Sequence, residues 1–146
     1  MKWKTKNLSH LCDIQSGLWK GKKGPYTKIP VLRNTNFNAD GNLNYSNAIE
    51  LSVETKQLES RKILPYDIIL EKSGGGDKTP VGRVCIHNLN FNKLFSFSNF
   101  TARIRVLDTK ILNPRFLHKF LYYLYLTGKT ENMQRNSTGI RNLQLS

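Results

Sequence analysis

The sequence predicts a mixed α/β domain: a twisted, largely antiparallel or mixed β-sheet with long loops and a C-terminal helix packed on it. Three observations carry this. With 146 residues, 38% of them hydrophobic and 10% aromatic, the chain is long enough for one core and too apolar for a disordered segment. Short apolar runs such as Ile68-Ile69-Leu70 and Val84-Cys85-Ile86 stand between turn-forming residues, as short strands require. One stretch near the C-terminus repeats apolar residues at helical spacing over several turns.

In chain order, Asn7-Leu8-Ser9 is fit to cap a short helix whose Leu8, Leu11 and Cys12 share a face. Ile29-Pro30-Val31-Leu32 reads as a short strand at an edge, or one that begins near the proline, which has no N–H for a ladder. Asn38-Ala39-Asp40-Gly41-Asn42 is turn chemistry, since Asp-Gly supplies the positive φ angles of a tight turn. Asp67-Ile68-Ile69-Leu70 and Arg83-Val84-Cys85-Ile86 are brief apolar runs suited to buried strands. Phe100, Ala102, Ile104 and Val106 alternate with Thr101, Arg103 and Arg105, which predicts a half-buried strand carrying two arginines on its polar face. Asn113-Pro114 supplies an N-cap and first helical position, and Gly128 a stop. Between them Leu117, Phe120, Leu121 and Leu124 form a stripe at i, i+3, i+4 and i+7 that is expected to face the core.

No apolar run approaches the ~20 residues of a membrane span. Met1-Lys2-Trp3-Lys4 turns polar at once, without the apolar region of a secretion signal. A soluble cytoplasmic protein with no membrane partner is expected. Cys12 and Cys85 are too few for a disulfide framework or a four-ligand zinc site and are expected as free thiols.

Enzyme signatures fail on spacing. Ser73-Gly74-Gly75-Gly76-Asp77-Lys78-Thr79 lacks the glycine that a phosphate loop needs directly before its lysine. Asp67, Glu71 and Lys72 approximate a metal-dependent nuclease set, but adjacent Glu and Lys on a strand point to opposite faces. Asn113-Pro114-Arg115-Phe116 is one residue from the Asn-Pro-Pro-Phe loop of amino-methyltransferases, yet no glycine-rich cofactor loop follows a strand. His10, His87 and His118 are scattered, and nothing assembles a nucleophile, base and orienter. No catalytic residue, metal ligand or cofactor is expected.

Twenty-three Lys and Arg against ten Asp and Glu give a net charge of +13. Residues 1–33 hold eight bases and one acid, residues 72–146 twelve bases and three acids, and residues 50–71 are net −2. Such polarity suits a polyanion. Four polar segments are fit to meet one. Ser16 to Tyr26 carries three lysines among glycines, with Trp19 and Tyr26 available to pack on sugar or base unless Trp19 is pinned in the core. Arg33-Asn34-Thr35-Asn36-Phe37-Asn38 holds the residue types that read guanine and adenine, though its asparagines also suit caps and turns. Lys72 to Lys78 is either an anion-binding nest or a hairpin tip. Arg135 to Asn142 again sets Arg, Asn and hydroxyls around a glycine.

In this order the segments resemble a target recognition domain of a type I restriction-modification specificity subunit. The matching pieces are Trp3 with Leu11-Cys12-Asp13-Ile14-Gln15-Ser16-Gly17, then Ile29 to Phe37, Leu64 to Gly74 and Pro80-Val81-Gly82-Arg83. Phe97-Ser98-Asn99-Phe100 and Ser137 to Leu143 complete them. The resemblance implies a non-catalytic protein that reads one half of a split double-stranded DNA site, with methyltransferase and restriction subunits as partners. It implies a single recognition domain over residues 1–146, with the long spacer helix expected after it absent and recruitment of those partners therefore open.

Residue chemistry assigns Lys20, Lys22, Lys23, Lys72 and Lys78 to phosphates, and Arg33, Asn34, Asn36, Arg135 and Asn136 to base edges. Tyr26, Ser73, Arg103, Arg105 and Arg141 are expected at DNA without an assigned role. Two other readings compete: the recognition part of a single-chain adenine methyltransferase or restriction enzyme, and an RNA-binding module in which Trp19, Tyr26 and Phe37 stack on splayed bases.

Overall fold

The computed structural model describes residues 4–75, 80–88, 92–137 and 140–143, and the backbone alone at 135–137 and 140–142. The expected mixed architecture is present, as three small sheets of mostly antiparallel pairs with two α-helices. The four-stranded sheet runs β1 (Cys12–Ser16), β8 (Thr101–Val106), β4 (Ile68–Glu71), β6 (Val84–Ile86). A three-stranded sheet runs β3 (Ile49–Glu54), β2 (Tyr26–Leu32), β7 (Ser96–Phe97), with β7 parallel to β2. The third runs β5 (Ser73–Gly75), β10 (Ile140–Leu143), β9 (Gln134–Ser137). The helices are α1 (Thr55–Arg61) and α2 (Pro114–Leu126).

The short apolar runs are explained by a sheet that is covered on both sides. On one face Ile68, Leu70, Val84, Ile86 and Ile104 pack with Leu117 of α2. On the other, Ile69 and Cys85 join Leu32, Phe37, Phe95 and Phe97. Alternation within β4 and β6 therefore separates two cores, not a core from solvent.

The same placement corrects the reading of β8 as half-buried. It lies between β1 and β4, and Arg103 is only 3% exposed. Its polar face is roofed by α1 and the residue after it, where Arg103 Nη1 donates to Ser60 O at 2.8 Å and Arg105 Nη2 to Lys62 O at 3.2 Å.

At the N-terminus the expected helix shortens to a 3-10 turn over Leu8–His10, because Cys12 already pairs with Val106 as the start of β1. Pro30 lies inside β2, opposite Glu50 and just before the two residues that pair with β7, so it takes nothing from that short parallel ladder. The Asp40-Gly41 turn forms as expected. Gly41 adopts φ +84°, and Asn38 N–H donates to Asn42 O at 3.0 Å. A side chain at Gly41 would crowd the His118 ring.

Helix α2 begins as its sequence predicts: Asn113 Oδ1 accepts from Arg115 N at 2.9 Å and Phe116 N at 3.3 Å, with Pro114 in the first turn. Its inward face is rotated from the expected stripe. Leu117 and His118 are buried and Leu121 and Leu124 half-buried, while Phe120 is 49% exposed and stacks on Phe116 along the outer face. His118 takes the inner place because Nε2 reaches Val84 O at 3.4 Å across β6.

Candidate nucleic-acid interface

The loop from Gly17 to Pro25 joins β1 to β2, and its course is set by backbone contacts. Leu18 is buried, with its N–H donating to Phe97 O at 2.8 Å, and a Cβ on Gly17 would overlap the Ser98 carbonyl, so only glycine fits there. The backbone of Trp19 is clamped by one side chain: its N–H donates to Gln57 Oε1 at 3.2 Å, and Gln57 Nε2 donates to its carbonyl at 2.8 Å. The indole itself is 63% exposed, which overturns the alternative of a core-pinned tryptophan.

Further along, the N–H groups of Lys22 and Lys23 both donate to Glu54 Oε1 at 2.8 Å. Those two bonds, that from Lys23 first, hold the Glu54 carboxyl below its usual range. The loop's amides at this point are thus spent on an internal carboxylate. Its ammonium groups are not: Lys20, Lys22 and Lys23 are exposed and form no ion pair among the described residues. Tyr26 follows them, also exposed. A groove of about 510 Å³ beside this loop is lined by Leu18, Trp19, Lys20, Val31, Val53 and Ser98.

Ser98 also borders a second hollow, of about 250 Å³, shared with Arg33, Asn34, Gly74 and Phe100. Asn34 Nδ2 donates to Ser73 O at 2.9 Å, which binds the second expected segment to the third. Arg83 reinforces the joint, donating from Nη2 to Asn34 O at 3.2 Å and to Glu71 Oε2 at 2.7 Å. Buried Arg33 Nε, Asn34 Oδ1 and Ser98 Oγ have no hydrogen-bond partner among the described residues. Lys72 is half-buried and gives its ammonium to Ser16 Oγ at 3.1 Å, so it ties β4 to β1 and does not stand free as Lys22 does.

The third and fourth expected segments meet in the backbone. Gly75 on β5 stands opposite Arg141 on β10, which in turn stands opposite Asn136 on β9, and Arg135 faces Asn142. The side chains of Arg135, Asn136 and Arg141, and the whole of Lys78, lie outside the described residues.

Two of the expected contacts, Asn36 and Arg103, are buried, and a third, Arg105, is half-buried and paired. Asn36 is fully buried: its Oδ1 accepts from Arg33 N at 2.8 Å and its Nδ2 donates to Asn44 O at 3.0 Å, so both ends of the amide hold the loop. Arg103 pairs with Asp13 beneath α1. Arg105 grips Asp67 with both arms, Nε to Oδ1 at 2.8 Å and Nη2 to Oδ2 at 2.7 Å, and that carboxylate raises its pKa further. The Asn36 and Arg103 side chains are enclosed, while Arg105 keeps part of its side chain exposed beside its pair.

The acidic residues of the rejected nuclease pattern are engaged in the same way, Asp67 by Arg105 and Glu71 by Arg83. Among the described residues no three His, Cys, Asp or Glu side chains are grouped to hold a metal ion. His10 is exposed, His87 shares a 2.6 Å hydrogen bond with the Tyr45 hydroxyl, and His118 lies under α2. What sequence reasoning missed is the turn Ser98-Asn99-Phe100 as the joint between the two hollows. Its polar residues directly before an apolar strand were the available signal.

No family model and no curated protein matches the sequence. Solved structures do match in fold. The chain is similar to the HsdS subunit from Thermoanaerobacter tengcongensis, with a TM-score of 0.53 and 18% identity over 82% of this chain and 27% of that one. It is similar also to the type I restriction-modification system S subunit from M. genitalium, with a TM-score of 0.56 and 15% identity over 96% of this chain and 30% of that one. The likeness is one of fold, to a part of each of these S subunits. The chain spans less than a third of either subunit's length.

Proposed function

We propose that this chain reads one half of a split site in duplex DNA, as the recognition domain of a type I restriction-modification specificity subunit. The observation that carries the reading is its fold likeness to two S subunits. The exposed Lys20, Lys22 and Lys23 support it by giving that fold a free cationic loop. Lys20, Lys22 and Lys23 hold phosphates. Arg33 and Asn34, with Arg135 and Asn136 on the neighbouring sheet, supply the groups for base edges, and Arg141 meets DNA without an assigned role. The domain works in the cytoplasm without a cofactor or catalytic step of its own. Methylation and cleavage come from modification and restriction subunits that it directs to the site.

The test is retention of random duplex DNA at low salt, followed by sequencing of the bound fraction. A short enriched motif is the expected result. Retention without enrichment would reduce the protein to a basic coat on DNA, and preference for single-stranded RNA would replace this reading with the stacking one.

A further inference from the structure

Beside the cationic loop is a recess whose chemistry does not suit the outside of a duplex. Leu18, Val31 and Val53 give it an aliphatic lining, to which Trp19 adds. Phosphates have no use for such a surface, and of the paired base edges only the thymine methyl group does. The flat faces of a nucleobase do, and they become available when the base leaves the stack. The volume, about 510 Å³, lies within the ~300–1,000 Å³ range of small-ligand clefts.

We propose, resting on the DNA-reading function above, that this groove takes a single unstacked nucleobase from the bound duplex. Two features beyond its apolar lining support it. Trp19 is 63% exposed, yet its backbone is clamped at both N–H and C=O by Gln57, so the point from which the indole projects is fixed before any ligand arrives. Ser98 lines the same groove and is only 8% exposed, and its Oγ has no hydrogen-bond partner among the described residues. The hydroxyl is enclosed as it stands and unpaired, which is a cost; a turn about its Cα–Cβ bond would offer it to a base edge, whose donors and acceptors complete it. Lys20, at the rim, and Lys22 and Lys23, further along the same loop, hold the phosphates on either side of the displaced nucleotide. Trp19 then stacks on the base and Ser98 contacts its edge.

The experiment uses the full chain and the motif enriched by selection. A set of duplexes carries one mismatched pair at each position in turn. An unpaired base is cheaper to extrude, so the protein is expected to bind one of these duplexes about tenfold more tightly than the matched duplex. At that position, a thymine should become reactive to permanganate on binding. Trp19→Ala should abolish both effects and Trp19→Phe should retain them, because an aromatic face is what is required. Ser98→Ala should keep the tightening but alter which base at that position is favoured. If matched duplex is bound, no mismatch tightens binding and no thymine becomes reactive, the base pocket is overturned while the DNA reading stands. Equal tightening by the Trp19→Ala protein would overturn it too. Failure of the unaltered protein to bind duplex at all overturns both together.

Discussion

Asn36 and Lys22 belong to neighbouring polar loops and look equally available in the sequence, yet their environments are opposite. The Asn36 amide is fully buried between Arg33 N and Asn44 O, whereas the Lys22 side chain is exposed and its backbone is held by Glu54. Removing the amide leaves a backbone donor and a backbone acceptor unpaired in a buried place. Asn36→Ala is therefore expected to lower stability by about 1–3 kcal/mol, read as a shift of the urea midpoint, with no change in the base pair preferred by the remaining folded protein. A change of preference at one base pair without loss of stability would return Asn36 to the reading surface.

At the level of elements, β8 is held by ion pairs as much as by its ladders. Asp67 is 1% exposed and receives both arms of Arg105 and the N–H of Leu64. Taking away the arginine strands a buried carboxylate, so Arg105→Ala should cost about 3 kcal/mol by equilibrium unfolding. An unchanged unfolding midpoint would show that solvent replaces the guanidinium freely. Helix α2 adds a pH dependence. Burial pushes the pKa of His118 below its ordinary 6.5, and burial does the same to His87. The unfolded chain takes up these protons as pH falls through about 6.5, and the folded chain takes them up only at lower pH. Stability is thus fully present above that value and declines as the solution is acidified toward pH 5. His118→Gln should make the decline shallower in urea titrations across that range, leaving the share due to His87.

For the whole molecule, a net charge of +13 on 146 residues makes any polyanion attractive, so charge alone does not locate the surface that meets it. Internal pairing does part of that work. Arg83, Arg103 and Arg105 are committed to Glu71, Asp13 and Asp67, and Lys72 to Ser16, which leaves the cations of the β1–β2 loop among the exposed, unpaired ones of the described residues, along with Lys28, Lys110 and Lys119. Lys22→Ala and Lys23→Ala are each expected to reduce the slope of log K against log salt by about one unit, weakening all duplex sequences alike. The same change at Lys72 should leave the slope nearly as it was. A drop there as large as at Lys22 would mean that its bond to Ser16 gives way to a phosphate.

Signals confined to a few neighbouring residues were readable in advance: the Asn113-Pro114 helix start, the Asp40-Gly41 turn, and the apolar runs at 68–70 and 84–86. Each depends on backbone sterics or on a cap within one turn, and those are carried by the adjacent residues. The β5, β9 and β10 strands were not readable, because polar and glycine-rich residues enter a sheet only when another segment supplies its edge. The same holds for which basic residues are free. Arg103 meets an aspartate 90 positions away and Arg105 one 38 positions away, and both then sit under a helix that the alternating pattern of β8 does not reveal. Periodicity states which residues share a face of a strand. Whether that face meets solvent or a layer of protein is settled by the distant chain that packs on it, since burying a charge requires a partner that no local pattern contains.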